Sequence, residues 1–336
     1  MNILLTGGTG YIGSHTAIKL LDQGHSVVLF DNLTNSKKSV IRKLERITKS
    51  HFEFVYGDIS DKELLRETCL KYNIQCVIHL AGFKAVGESV DNPIKYYINN
   101  VTGTICLLEV MNSLQIKNLI FSSSATVYGH PKYLPIDETH PTIGVNPYGQ
   151  SKLFVEHILR DLTVAKSDSL DWNIISLRYF NPVGAHPSGL LGEDPNDEPN
   201  NLMPIIAKVA IGKNQYINIF GSDYDTPDGT GVRDYIHVED LAEGHLSAVN
   251  YLSKCKGFEV FNLGTGIGYS VLDIISAYEK ASNVKISFKY AARRPGDTAS
   301  CYASPLKANQ KLNWKAKHSL SDMCQSDWLF QTQNNL

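Results

Sequence analysis

Short apolar runs alternate with longer stretches of helical spacing through the first half of the chain. Runs near 2–6, 27–31, 52–56, 76–81, 117–122 and 173–179 read as strands. Apolar positions recur at helical spacing near 11–23, 61–72, 93–113 and 147–165. Continuous rather than alternating apolar strands imply a sheet buried on both faces, and strand–helix alternation implies right-handed crossovers. The expected fold is therefore α/β, a Rossmann-type doubly wound parallel sheet.

The texture changes after about residue 181. Pro, Gly, Asn and Asp are dense over 182–201 and 221–231. Shorter elements follow: helices near 202–212, 238–253, 270–281 and 319–332, and a strand near 216–220. This predicts a first domain over 1–180 and a smaller C-terminal α/β substrate-binding domain over 181–336, partly interleaved with the first. Gly264-Thr265-Gly266-Ile267-Gly268 reads as a turn before the 270–281 helix.

Ligands of an open parallel sheet sit beyond the carboxyl ends of its strands. Gly7, Asp31, Asp58, Ala81-Gly82, Ser122 to Ser124 and Tyr179-Phe180-Asn181 fall there. The first strand runs into Thr6-Gly7-Gly8-Thr9-Gly10-Tyr11-Ile12-Gly13. Gly7 suits a tight turn, Gly10 a close approach of backbone to pyrophosphate, and Gly13 close packing of the next helix, whose N-terminus favours phosphate. Asp31 ends the second apolar run, where a carboxylate accepts from ribose hydroxyls and repels a 2′-phosphate. The cofactor expected is NAD.

Tyr148 and Lys152, in Tyr148-Gly149-Gln150-Ser151-Lys152, stand one helical turn apart. A free phenol titrates near 10 and is a poor base at neutral pH. Lowering it by ~3 units takes ~4 kcal/mol. One ammonium at ~4 Å supplies ~4 kcal/mol at an effective dielectric of ~20. Tyr148 then takes a proton from a substrate hydroxyl, with Lys152 beside it and Ser124 hydrogen-bonding the same hydroxyl. The glycine turn and the Tyr/Lys pair in one chain are far more specific than either alone.

Charge narrows the partners. Lys and Arg number 32 and Asp and Glu 34, a net charge of −2, which gives no basic surface for nucleic acid or anionic membrane. The 6 cysteines show no metal-site spacing and read as reduced thiols, so no metal is expected and the location expected is cytoplasmic. No apolar run reaches membrane-spanning length, and a strand so near Met1 leaves no room for a signal peptide. His15, His79, His186 and His237 read as packing or hydrogen-bonding groups.

These residues resemble the extended short-chain dehydrogenase/reductase family, and within it the nucleotide-sugar 4-epimerases. The resemblance runs from Asn2 to about Trp328. It is carried by Ala85-Val86-Gly87-Glu88-Ser89, Ser122 through Gly129, Arg178 through His186, Asn200 through Pro204, Asp228 through His237, and Arg293-Arg294-Pro295-Gly296-Asp297. It implies reversible 4-epimerisation of UDP-glucose and UDP-galactose through a 4-keto sugar and tightly bound NAD. By the same resemblance NAD is held by Gly7, Gly10, Tyr11, Ile12, Gly13, Asp31, Asn32, Leu33, Thr34, Asn35, Ser36, Asp58, Ile59, Leu80, Ala81, Gly82, Phe83, Lys84, Asn99, Ser124, Tyr148, Lys152 and Phe180. The UDP-sugar is held by Ser124, Tyr148, Asn181, Asn201, Leu202, Asn218, Ile219, Phe220, Arg233, Arg294, Asp297 and Cys301. Two arginines suit a diphosphate, whose oxygens match a guanidinium fork. Members also pair the helices near 93–113 and 147–165 into a four-helix homodimer interface.

Two other functions are open on this scaffold. A nucleotide-sugar 4,6-dehydratase needs an acid and a base, and related dehydratases carry Asp-Glu directly after the residue matching Ser124. This chain has Ala125-Thr126. A non-catalytic NAD-sensing protein usually lacks the tyrosine or the lysine, and both are present. One position bears on breadth. Hexose-restricted epimerases carry a tyrosine at the fourth place after the aspartate matching Asp297, and here that place is Cys301, with tyrosine one later at Tyr302. The smaller side chain predicts space for an N-acetyl group, and so UDP-N-acetylglucosamine and UDP-N-acetylgalactosamine as further substrates.

Overall fold

Strands β1 (Asn2–Thr6), β2 (Ser26–Asp31), β3 (Glu53–Tyr56), β4 (Cys76–His79), β5 (Asn118–Ser124) and β6 (Asn173–Tyr179) lie in one parallel sheet in the order 3-2-1-4-5-6. A seventh parallel strand, Gly257–Leu263, extends it beyond β6. The computed structural model describes residues 1–165, 171–196, 201–294 and 296–335. Asn200 and Pro295, in two of the resembling stretches, lie outside the described residues.

Both faces of the sheet are covered, as the unbroken apolar runs require. Along β1, Ile3 and Leu5 join one core with Leu29, Ile78, Leu241 and Phe261. Leu4 joins the other with Val28, Val77, Leu119 and Val155. Alternation at period two in a strand that is apolar throughout is what a two-sided sheet produces.

Six strands stand where the pattern placed them, and among the differences three concern the main sheet and its helices. A helix at Ser39–Thr48 was not anticipated. Its Val40, Ile41, Leu44 and Ile47 have helical spacing, but the intervening Arg42, Lys43, Glu45 and Arg46 make it polar on average and only Leu44 is buried. Gly257–Leu263 was also missed, because Glu259 and Asn262 break its apolar run. The expected 93–113 helix is α-helical over Pro93–Tyr96, π-helical over Tyr97–Thr102 and α-helical again over Gly103–Ser113. The wider turn carries one residue more than an α-turn, a feature common at functional sites.

In the C-terminal half, Asn181–Val183, Val232–His237, Gly268–Ser270 and Ser300–Cys301 form a second sheet, and Ile217–Phe220 pairs with Phe288–Ala291. Helices Leu202–Ala210, Val271–Ser282 and Leu320–Asn335 enclose a third core with Met203, Ile206, Ile274 and Met323. Helix Val238–Tyr251 instead packs on the first helix, Tyr11–Asp22. Thr265 and Gly266 form the expected turn, both amides donating to the buried Asp234 carboxylate at 2.8 and 2.9 Å. Among the described residues no helix is long and apolar enough to cross a membrane.

Candidate active site

A cleft of about 700 Å³ opens over the carboxyl ends of the strands, centred where the strand order reverses between β1 and β4. Gly7 turns the chain there with φ +70, and a Cβ on it would lie 2.8 Å from the Ala81 nitrogen. A Cβ on Gly13 would lie 2.3 Å from the Gly7 oxygen, so the helix that begins at Tyr11 packs on the turn. A Cβ on Gly10 would meet only the Gly7 oxygen, at 3.2 Å, and otherwise fill open cleft. Backbone amides at that helix start are the kind of cradle a pyrophosphate needs.

Asp31 closes one end of the floor. Its carboxylate accepts from Thr9 N at 3.1 Å, Leu33 N at 2.8 Å and Ser36 Oγ at 3.2 Å. Above it runs the segment 190–196. Lys37 Nζ meets Asp194 at 2.7 Å, and the Asn196 amide reaches the carbonyls of Thr34 and Ser36 at 3.2 Å. On the other side Glu193 accepts from Lys84 Nζ at 2.6 Å and from Asn201 Nδ2 at 2.8 Å. The segment is thus tied to the turn after β2 and to the loop after β4. Lys84, which the resemblance places among the NAD-holding residues, is paired with this carboxylate; burial pulls its ammonium down and Glu193 more than offsets that.

Tyr148 enters the cleft from the first turn of helix Pro147–Val164. Asn146 caps that helix, accepting from Gly149 N at 2.8 Å, and Pro147 occupies its first position. The Tyr148 hydroxyl faces Ser124. Burial pushes the phenol up, while the Ser124 hydroxyl and the Lys84 ammonium pull it down. Lys152 is 4 % exposed. Its ammonium donates to the Ser122 carbonyl at 2.7 Å and lies 4.9 Å over the Phe121 ring. Burial lowers Lys152 to about 8, with Glu156 acting against it. A Cβ on Gly82 would come within 3.3 Å of Lys152 Nζ, so a bare backbone there leaves the lysine room.

The π-helical turn supplies the remaining wall. Asn99 lines the cleft, and the adjacent Asn100 accepts from Phe83 N at 2.8 Å while donating to Phe83 O and Ser151 Oγ at 3.0 Å. At the far end Arg233 donates to the Val232 and Thr298 carbonyls at 2.9 Å and stands 3.7 Å from Asp297. Arg294 donates to the same carboxylate at 2.8 Å and lies 5.0 Å over the Phe220 ring. Cys301 faces the cleft, its thiol pushed up to about 11 by burial. Tyr302 leaves the opposite side of that strand, its ring 3.1 Å from where a Gly268 Cβ would be.

Gly7, Gly10 to Gly13, Asp31, Asn32, Thr34 to Ser36, Ile59, Leu80 to Lys84, Asn99, Ser124, Tyr148, Lys152, Phe180, Asn181, Asn201, Arg233, Asp297 and Cys301 line the cleft. Leu33, Asp58, Leu202, Asn218, Ile219, Phe220 and Arg294 stand outside its walls. Leu33 forms the turn after Asp31 at φ +58, and Asp58 holds the Asn32 amide at 2.7 Å. Leu202 packs on the C-terminal core, and Ile219 is buried inside it. Asn218 and Phe220, its strand neighbours, are exposed on the other face, and Phe220 and Arg294 form a rim. Sequence reasoning missed Lys37, Lys43, Glu193, Asp194 and Phe330, which also line the cleft. Lys37, Glu193 and Asp194 lie in segments with no periodicity to mark them, and Lys43 and Phe330 lie on helices whose spacing does not reveal which side chain reaches a cleft.

His15, His79 and His237 are buried and bonded. His79 sits between the Thr6 and Thr104 hydroxyls at 2.7 and 2.9 Å, and burial, then Lys152, lowers it to about 3. The six cysteines are free. Among the described residues no three His, Cys, Asp or Glu gather as metal ligands would.

A parallel sheet of this order, with a glycine turn at its switch point and a tyrosine–lysine helix beside it, defines an extended short-chain dehydrogenase/reductase. The family model described as GDP-mannose 4,6 dehydratase matches residues 4–326. The UDP-glucose 4-epimerase of Homo sapiens is 53% identical over 339 residues, covering 99% of this chain and 97% of that protein. That of Bacillus subtilis is 51% identical over 334 residues, covering 99% and 98%. The crystal structure of UDP-glucose 4-epimerase from Bifidobacterium longum in complex with NAD+ and UDP superposes with a TM-score of 0.95 at 52% identity, covering 99% of both chains. The chain belongs to the UDP-glucose 4-epimerase family.

Proposed function

We propose that this chain interconverts UDP-glucose and UDP-galactose at carbon 4, with NAD as its resident cofactor and Tyr148, Lys152 and Ser124 as its catalytic residues. The observation that carries the reading is the convergence of Tyr148 and Ser124 in one cleft with the Arg233–Asp297 pair at its other end. The glycine turn and the helix start at Tyr11 would hold the pyrophosphate, and Asp31 the adenosine ribose. When bound, NAD accepts a hydride from carbon 4 and returns it. The chain's own residues do the rest. Tyr148 takes the 4-hydroxyl proton and gives it back, Ser124 orients that hydroxyl, and Lys152 favours the phenolate. Arg233 and Arg294 hold the diphosphate while the 4-keto sugar presents its other face. No net redox occurs, so the cofactor is reused in place.

Residues 1–180 on this reading hold NAD and 181–336 the UDP-sugar, with 238–263 returning to the first domain. Cys301 leaves space beside the sugar, so the N-acetylhexosamine pair is also accepted. Exposed Ile94, Ile98 and Phe154, at 72%, 61% and 43%, support a homodimer through the helices over 93–113 and 147–164. A cytoplasmic role in galactose metabolism completes the proposal. The dehydratase alternative is disfavoured, since Ala125 and Thr126 cannot ionise and Thr126 Oγ1 is bonded to Ser124 Oγ at 2.9 Å. The test is conversion of UDP-galactose to UDP-glucose with no NAD added. A 4-keto-6-deoxy product would assign the dehydratase instead, and no turnover by NAD-loaded protein would reject both.

A further inference from the structure

Three consecutive serines end β5, and each meets a different residue of helix Pro147–Val164. The Ser122 carbonyl accepts from Lys152 Nζ at 2.7 Å. Ser123 Oγ donates to Glu156 Oε1 at 2.6 Å. Ser124 faces the Tyr148 hydroxyl. Tyr148, Lys152 and Glu156 are spaced by four, so they share one helix face. Only the first two reach the cleft, and Glu156 lies behind them with 0% exposure.

Glu156 is fully engaged. Oε1 also accepts from Ser176 Oγ and Arg178 Nε at 3.0 Å, and Oε2 accepts from Arg178 at 2.5 Å. Arg178 is 3% exposed, stacks 4.7 Å over the Tyr128 ring, and has one terminal nitrogen with no partner. A buried ion pair of this kind is weak grounds for stability, since desolvation of both charges offsets their attraction. Its place, directly behind the tyrosine–lysine pair, suggests another use.

We infer that Glu156 is a positioning residue for this reaction: it locks the strand end carrying Ser124 to the helix carrying Tyr148, and it sets a fixed negative charge behind the Lys152 ammonium. The inference rests on the epimerase reading of Tyr148 and Lys152. Burial alone would raise the Glu156 carboxyl, but Arg178, Ser123 and Ser176 outweigh it and hold the group ionised. Lys152 lies against few other titratable groups. Tyr148 shares its helix, and Lys84 faces Tyr148 from the loop after β4. His79 at the end of β4 is neutral, and Tyr179 at the end of β6 lies against Ser122 and donates or accepts at His245. Glu156 is thus the anion that keeps the lysine charged as pH rises, and a charged Lys152 favours the phenolate.

The test uses the full-length, NAD-loaded protein. Glu156→Gln keeps the shape and removes the charge. The expected result is roughly a tenfold lower kcat near pH 7 with KM for UDP-galactose within about twofold, and an alkaline limb of the pH–rate profile moved down by about one unit. Glu156→Asp should return the limb to its wild-type position. A purely structural glutamate would lower stability and leave the limb in place, so a wild-type limb in folded Glu156→Gln overturns the inference. Should that variant fail to fold, Glu156→Gln paired with Arg178→Gln removes both buried charges and is read the same way. Should neither fold, Ser123→Ala decides. It cuts the tie and keeps the ion pair, so kcat should fall about threefold or more with the limb unmoved, and a wild-type kcat rejects the inference. Tyr148→Phe runs alongside. Loss of turnover with NAD retained leaves the epimerase reading intact whatever Glu156 does, and native turnover would remove that reading first.

Discussion

Lys152 Nζ lies 2.7 Å from the carbonyl oxygen of Ser122, so the lysine of the helix is pinned to the end of the neighbouring strand. Burial brings its ammonium down to about 8. The working form is the charged one, present below that value and lost above it. Turnover of UDP-galactose should therefore fall as pH rises through about 8, and Lys152→Met should cost roughly 100-fold and erase that limb. A pH–rate profile flat to well above 9 in the wild type would refute this.

Asp31 accepts two backbone amides and the Ser36 hydroxyl, which fixes its carboxylate at the cleft edge. A 2′-phosphate placed there would meet a like charge. Protein stripped of cofactor should recover activity with NAD and not with NADP at equal concentration. Equal recovery with NADP would withdraw the role given to Asp31.

Cys301 pairs with Arg233 across the second sheet and presents its side chain to the cleft, while Tyr302 points to the opposite face. Turnover of UDP-N-acetylgalactosamine is expected in the wild type. Cys301→Tyr should lower it tenfold or more and leave UDP-galactose turnover within about threefold, the range in which a steric clash in a pocket discriminates. Parallel loss of both activities would show that Cys301 is only a packing residue.

Asp327 is buried on the last helix and accepts from the Tyr278 hydroxyl at 2.7 Å. Burial first, and then Glu193, raise its carboxyl to about 6 against the pull of Tyr278 and Gln331. Between about 4 and 6 the folded protein holds a proton that the unfolded chain has released, so stability falls as pH rises through that window. Asp327→Asn should remove the loss. At pH 8 and fixed NAD, the variant should resist urea better by no more than about 3 kcal/mol, and near pH 4 the two should match. A variant less stable than wild type at pH 8 would contradict this.

The strands of the main sheet were legible because each is a short apolar run, and Gly7, Asp31, Ser124 and Tyr148 because their chemistry has characteristic spacing. Gly257–Leu263 was not, since its place beside β6 depends on packing against partners far along the chain. Arg233, Asp297 and Cys301 were placed only through resemblance; nothing local distinguishes them from surface residues. That Lys152 also donates to the Ser122 carbonyl was not legible, because spacing on a helix does not reveal a carbonyl on the neighbouring strand. Glu156 carried an overlooked signal, an acidic residue continuing the four-residue spacing of Tyr148 and Lys152 on a face otherwise buried.

The segment 190–196 is fastened on both sides of the cleft, by Lys37–Asp194 and Asn196 on one side and Lys84–Glu193 on the other. Release of one bank alone still leaves the segment attached at the other, so both attachments must part for it to swing clear of the cleft. A reaction that hands its hydride back each cycle has no need to exchange its carrier, and a strap held at two banks suits that economy.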